Sequence, residues 1–484
     1  MKIYILKFLC LIGMVLFFQS CDSELEESPK TFISPETFFK NPASYDLAVV
    51  GIYSGIGNLY SNNAMTMREM FSDVYGAPSG AAEQAMPTYN NTHQPFFYNT
   101  RDLWSGAYSI IKNANFILDK LSVADLPEQK VNELMAEAKF LRAFSYFHLV
   151  QFYGDIPLRT TTLSSYDEIK LGKSSQEDVY RFILEELSFA EKNLPDSSTQ
   201  QGRVFKLVAT ALISKVYLTM AGYPLNQAEH YKDAKEKAIV VIDSKQFQLL
   251  NNYSDVFHNI DYSSESIWEK LYVADKGGNP LHSATSTAKG YNYLMVPAPW
   301  FINSFAPGDQ RNEWGINQNY MDPDGDVLQP FFQKFVNNDF TDANIGASSS
   351  SQLNYTTPIL RLAEMYLIAA EAENELNGPA GAYQYINKIR ERARVDKTDP
   401  LNVPDLAGLT KDQFREQVLM ERKWELHLEG STWMDLKRTK NLNRIQTSRE
   451  TNPLLIPIGE YNNTWYIPDT EITNNDIPQN PSYN

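Results

Sequence analysis

Leu134, Ala138, Leu141, Ser145, His148 and Phe152 follow one another at spacings that alternate between four and three. That alternation keeps them on one face of an α-helix. The stretch "VNELMAEAKFLRAFSYFHLVQFYGD" is therefore predicted to be helical up to Gly154 and Pro157, which stop it. A helical pattern starts earlier, at about Ser44, and "LWSGAYSIIKNANFILDKL" predicts a helix ending near Ser122. Further helices are predicted over about 176–193, 204–221 and 228–244. The periodicity then fails. From 247 to 356 the chain is rich in Asn, Ser, Gly, Pro and aromatics, with short strand-like pieces only. A loop-rich stretch of that length within a folded chain is usually functional.

Regularity returns at Thr357–Pro358, read as an N-cap followed by proline at the first helical position. The helix "ILRLAEMYLIAAEAENEL" closes at Asn377–Gly378, where Pro379 bars its continuation. "AYQYINKIRERARV" then comes straight back as an antiparallel hairpin. Glu371 and Glu375 share a face of the first of these helices and read as solvated. Thr410 and Gln413 form a capping-box pattern for a further helix that ends at Gly430. Past Thr447 frequent Pro and Asn predict an extended, wrapping tail. The expected fold is mainly α, with tetratricopeptide-like helix pairs supporting a long irregular loop-rich region with a few short strands. The strict repeat of roughly 34 residues is absent.

The first residues follow a different logic. Lys2 and Lys7 precede the apolar run Phe8–Phe18, which is right for a signal peptide and short for a membrane span. "FFQSC" resembles a bacterial lipobox, with Phe18 and Ser20 where Leu and Ala or Gly are commonest. The expected organisation is a signal peptide over 1–20, a tether over 21–42 lipidated at Cys21, and an N-terminal helical part over 43–246. A loop-rich ligand region over 247–356, C-terminal helices over 357–446 and an extended tail over 447–484 complete one unit. Of the two cysteines, Cys10 leaves with the signal peptide, so no disulfide is available to the mature chain. Several acyl chains on Cys21 would hold the protein firmly at a membrane.

Composition narrows the function. A formal charge of −16 over 484 residues repels phosphate backbones, and no basic run offsets it, so nucleic acid is excluded as a partner. The six histidines show no tight metal-ligand spacing, and no phosphate-binding loop, dinucleotide fingerprint or nucleophile elbow occurs. No cofactor or metal is expected. Asp322, Asp324 and Asp326 resemble the start of a calcium loop, but Val327 and Gln333 stand where that loop needs Gly and Glu, so a hairpin turn is expected. No acid–nucleophile pair stands out among the carboxylates. Aromatic residues reach 13%, with 28 Tyr and 7 Trp, which suits exposed binding surfaces.

Three stretches carry a family resemblance. "AEAKFLRAFSYFHLVQFYGDIPL", "LMERKWELHLEGSTWMDLKRT" and "WYIPDTEITNNDIPQNPSYN" together resemble the signature segments of the SusD/RagB family, in order and across the mature chain. The resemblance implies a non-enzymatic outer-membrane lipoprotein, lipid-anchored and facing the cell exterior. Such a protein binds glycans, or in some branches peptides, and passes them to a SusC-like TonB-dependent transporter. A glycoside hydrolase is the weaker alternative. Family ligand sites lie on loops, so two loop clusters are candidates. One holds Asp73, Tyr75, Tyr89, Asn91, His93 and Tyr98; the other holds Tyr272, Tyr291, Tyr293, Arg311 and Trp314, with Asp73 and Arg311 equally suited to structural salt bridges or caps. Aromatic faces suit the C–H faces of sugars, and Asp, Asn or Arg suits the hydroxyl rim. Trp300, among apolar neighbours in "PAPWFINSF", reads as core. Lys276, Lys289 and Arg311 leave room for an anionic sugar.

Overall fold

A computed structural model describes residues 38–61, 64–65, 68–69, 71–76, 94–258, 262–272, 279, 281, 285, 295–319, 325, 327, 329–336, 355–447, 458 and 460–481. Cys21, Tyr89, Asn91, His93, Lys276, Lys289, Tyr291 and Tyr293 lie outside these residues, as does the Asp322–Asp326 turn except for Gly325. Residues 1–44 form one unit and residues 45–484 the other.

Helix α1 (Pro42–Tyr53) starts two residues before the expected Ser44, because Asn41 caps it: its Oδ1 accepts from the Ser44 amide at 3.0 Å, and Pro42 occupies the first turn. Within the second unit follow α2 (Gln94–Leu121) and α3 (Glu128–Tyr153). After them come α4 (Gln176–Asn193), α5 (Lys206–Ala221) and α6 (His230–Asp243). Each of α2 to α5 packs on its successor, so they form a layer; the connection from α3 to α4, over 154–175, is long and the others are shorter. The stripe read from the sequence is buried, but so is nearly everything around it. From Ala136 to Tyr153 only Lys139 is less than buried. A helix enclosed on all sides needs neighbours on more than two flanks, and α2, α4 and the chain's last segment provide them. Gly154, at φ +73°, lets the chain leave α3 where a side chain would be strained.

The C-terminal half adds α7 (Leu362–Asn377), α8 (Tyr383–Ala393), α9 (Lys411–Leu426) and α10 (Thr432–Arg438). The expected capping box on α9 is present, with Thr410 and Gln413 reciprocally bonded at 3.3 and 2.9 Å. Ala363, Leu367, Ala370, Ile386, Ile389, Phe414 and Val418 interlock as the core of α7, α8 and α9.

Two sequence readings need correcting. Thr357–Pro358 starts a strand, not a helix. It is β8 (Thr357–Arg361), antiparallel to β4 (Ser266–Lys270), with Ser266 opposite Arg361 and Lys270 opposite Thr357. Proline is tolerated near the start of a strand in a two-stranded sheet, so Thr-Pro marks either element. The helix begins only at Leu362, whose amide donates to the Glu265 carbonyl at 3.0 Å. The second correction concerns Glu371: it is 5% exposed and bonded to Arg438, not solvated. Its neighbour Glu375 is paired with Arg415.

The loop-rich region is tied down by two-residue pairings. β1 (Tyr75–Gly76) pairs with β5 (Val296–Pro297), and β6 (Ile316–Asn317) with β7 (Phe331–Phe332), while β2 (Ile156–Pro157) and β3 (Lys173–Ser174) pair between α3 and α4. The tail closes on the end of α3. The Trp465 amide donates to the Phe152 carbonyl at 2.7 Å, and Asn480 Nδ2 donates to the carbonyls of Tyr153 and Trp465 at 3.0 and 2.7 Å.

Candidate functional site

The floor beneath the loops is a buried lattice of charge. Glu421, Glu425 and Glu429 project at four-residue spacing from α9 and the turn after it. Arg311 reaches Glu421 and Asp309 at 2.5 and 2.7 Å, and Arg390 reaches the other oxygen of Glu421 at 2.7 Å. Arg361 bonds Glu265, Glu425 and Glu429 at 2.9, 2.6 and 2.6 Å. Arg392 also bonds Glu265 and Glu425, and Lys334 reaches Glu429 at 2.7 Å. Five cations thus face five carboxylates, so the buried charge is balanced. Burial alone would raise the pKa of Glu425, but Arg392, Arg361 and Arg311 more than offset it and hold the carboxyl well below its ordinary range.

Three of the residues proposed for ligand binding belong to this floor. Arg311 has no exposed surface. Asp73 is buried, accepts from Lys423 Nζ at 2.5 Å and takes the Trp300 indole N–H on its backbone carbonyl at 2.7 Å. Tyr75 is buried, donates to Glu69 at 2.5 Å and accepts from the Leu428 amide at 2.9 Å. Enclosed side chains with protein partners offer nothing to a ligand. These three are corrected to scaffold residues that fix where the loops start. Trp300, expected in the core, is half-buried and serves as the lock on Asp73. Tyr98 falls in the first two turns of α2.

Two surfaces near the loop region stand out among the described residues. The first is an aromatic patch. Trp314 follows the single-turn helix Gln310–Glu313, which Asp309 caps through the Arg311 amide. Its ring meets His258 edge-on at 4.9 Å and Tyr253 at 5.9 Å, and His258 lies parallel to Tyr355 at 4.7 Å. Trp314, His258 and Tyr355 are half-buried, while Tyr253 is enclosed beneath them. His258 Nε2 lies 3.2 Å from the Gln333 carbonyl, so it carries the proton and donates. Burial lowers the His258 pKa and the Gln333 carbonyl opposes that. The ring is neutral at ordinary pH.

The second surface is a cleft of ≈ 490 Å³ between α1, the 200–203 turn and β4. Trp268 backs it, donating its indole N–H to the Gly202 carbonyl at 2.9 Å. Lys270 stands on its wall with Nζ 3.7 Å over the Tyr272 ring, and burial brings the amine down to about 8. Tyr272 donates to the Tyr60 carbonyl at 3.2 Å, and burial raises its pKa. The fold thus places Tyr272 beside the cleft and Trp314 in the patch. His258, Tyr355 and Lys270 were missed from sequence. Only the clustering of aromatics around 253–258 and at 355 hinted at them.

The fold and these surfaces can be set beside known proteins. A family model described as the SusD family matches residues 190–483, and one described as starch-binding associating with the outer membrane matches residues 25–218. A SusD-like protein of Formosa agariphila is 30% identical, with 87% of each chain covered. The chain belongs to the SusD family. A second SusD-like protein of Formosa agariphila is 29% identical and covers all of both chains. Among solved SusD-like structures, a SusD homologue from Bacteroides thetaiotaomicron superposes with a TM-score of 0.80 at 22% identity, covering 92% of this chain and 98% of the other. A laminarin-binding SusD-like protein gives 0.75 at 23% identity, covering 92% of this chain and all of the other. The SusD signature segments now have physical roles. The acids of the α9 motif build the charge lattice, and the closing Gln-Asn-Pro staples the tail to α3.

Proposed function

We propose that this SusD-family chain captures glycans at the cell surface and hands them to a SusC-like TonB-dependent transporter. The observation that carries the reading is the half-buried cluster of Trp314, His258 and Tyr355, set at the edge of the loop region on a charged floor. Flat apolar rings with polar edges match a sugar's C–H face and hydroxyl rim. Solved structures of similar fold include a laminarin-binding SusD-like protein and a surface glycan-binding protein from Bacteroides uniformis, which supports glycans as the ligand class. Tyr272 and the cleft beside it form a second contact region. Tyr89, Asn91, His93, Tyr291 and Tyr293 remain proposed ligand residues, as does Tyr98, which the structure places in helix α2 rather than in a loop.

Lipidation at Cys21 would anchor the protein to the outer membrane, with 22–42 as the tether that keeps it near its transporter. The test is retention on native gels containing single polysaccharides. Retardation by at least one glycan is expected, and saturable binding of peptide mixtures with no glycan retardation would overturn the reading. Replacing Cys21 by Ala should move the protein from membrane to soluble fraction with glycan affinity unchanged.

A further inference from the structure

Arg68 is a buried cation whose guanidinium contacts no carboxylate among the described residues. It is 2% exposed; Nη2 donates to the Leu59 carbonyl at 2.7 Å, Nη1 to Met65 Sδ at 3.7 Å, and the guanidinium lies 4.8 Å over the Tyr60 ring. Its Nε has no partner. Arg68 lines a cavity of ≈ 40 Å³ walled by α3, α5, β8, α9, α10 and the turn before α10. Arg422 lines the same cavity, also 2% exposed. Its Nε and Nη2 are held by Asp435 and Glu364 at 2.7 and 3.2 Å, and its Nη1 has no partner.

The carboxylates around this space are committed elsewhere. Glu429 serves Lys334 and Arg361, and Asp435 serves Arg422 and Arg438. Glu69, next to Arg68 in sequence, turns to Tyr75, the Gly430 amide and Thr432. His148 also faces the cavity. Its Nδ1 donates to the Phe144 carbonyl and burial holds the ring neutral, so it adds no charge. Lys215 is matched by Glu364. A guanidinium does not deprotonate, and an unpaired buried charge is strongly unfavourable. What is missing, among the described residues, is an acceptor for Arg68 Nε and Arg422 Nη1.

We propose that the cavity between Arg68 and Arg422 is an anion site that takes one halide-sized monovalent ion with accompanying water. At roughly 10–15 Å³ per water the space holds about three water-sized bodies, so it excludes sugars and is separate from the glycan surfaces. The ion would receive the free N–H groups of Arg68 and Arg422 and tie α3 to α10.

Crystals of the full chain soaked in sodium bromide test this on the native protein. An anomalous bromide peak in the cavity, within hydrogen-bond reach of Arg68 and Arg422, is expected. Ordered water without anomalous signal there would overturn the proposal. In solution, replacing gluconate by bromide at fixed ionic strength should raise Tm, and Arg68→Met should lose that increment. A native Tm indifferent to bromide would count equally against the site. If the Met variant does not fold, the bromide map on native crystals decides.

Discussion

Arg361 Nη1 lies 2.6 Å from Glu425 Oε1, and both side chains are enclosed. Glu425 also bonds Arg392 and Arg311, so it is the hub of the lattice under the loops. Removing one partner of a buried network leaves the others uncompensated, which costs about 3–5 kcal/mol. Glu425→Ala is therefore expected to lower stability by that order in urea unfolding. A loss within about 1 kcal/mol, the size of a surface pair, would contradict the role.

The pH dependence follows from the same carboxylates. Burial pushes up Glu425, Glu429 and Asp435, but the neighbouring cations outweigh it and all three end lowered. A lowered folded pKa contributes stability that is present above the unfolded value and lost as pH falls through the folded one. Stability should begin to fall once pH drops below the ordinary carboxylate value of about 4, and should keep falling in stronger acid until the lowered folded values are passed. A stability that does not change on acidification below about pH 4 would contradict the lattice.

Glu269 runs the other way. It is 2% exposed, and burial lifts its carboxyl to about 7 although the Ser263 amide donates to it at 3.3 Å. Its folded form binds the proton more tightly than the unfolded form, so protonation stabilises as pH falls from about 7 towards 4.5. The wild type should gain on Glu269→Gln by on the order of 2 kcal/mol across that window. Taking the difference removes the opposite slope of Lys437, whose amine burial brings down to about 7. A flat difference would contradict the shift.

The helices were legible because periodicity and caps are local. Gln176–Asn193 and the Thr410–Gln413 box appear where the pattern puts them. The candidate site was less legible, for a physical reason. Glu421, Glu425 and Glu429 at four-residue spacing look like a solvated helix face until their cations are found. Those cations come from distant segments, Arg311 lying 110 residues before Glu421. The same blindness made Arg311 and Asp73 look like loop residues awaiting a ligand. Loop placement says where a residue sits in the chain, not whether a buried partner has claimed it.

The tail offers a local test. Asn480 gives both amide protons to the end of α3 and the start of the tail, and Gln479 bonds the Ile467 amide and carbonyl at 2.9 Å each. Asn480→Ala leaves two buried carbonyls short of a donor, a cost of about 1–3 kcal/mol. Amide exchange near Trp465 should quicken while that of α7 is unchanged. Equal change in both would contradict a local staple.

Gly222 tests the packing of α5 on α10. A Cβ there would stand 2.6 Å from the Arg438 carbonyl oxygen, which already accepts from the Tyr223 amide at 2.8 Å. Gly222→Ala must push α10 away, at about 1–3 kcal/mol in unfolding experiments. A neutral substitution would mean the two elements do not meet this closely.

The central claim is that Trp314, with His258 and Tyr355, forms the platform on which a sugar rests. Loss of one stacking ring removes on the order of 1.4 kcal/mol, about tenfold in Kd. The most direct measurement is calorimetric binding of the glycan that retards the wild type, repeated with Trp314→Ala after its Tm is matched to the parent. The account predicts affinity at least about tenfold weaker in the variant. Unchanged affinity in a folded Trp314→Ala protein would contradict it.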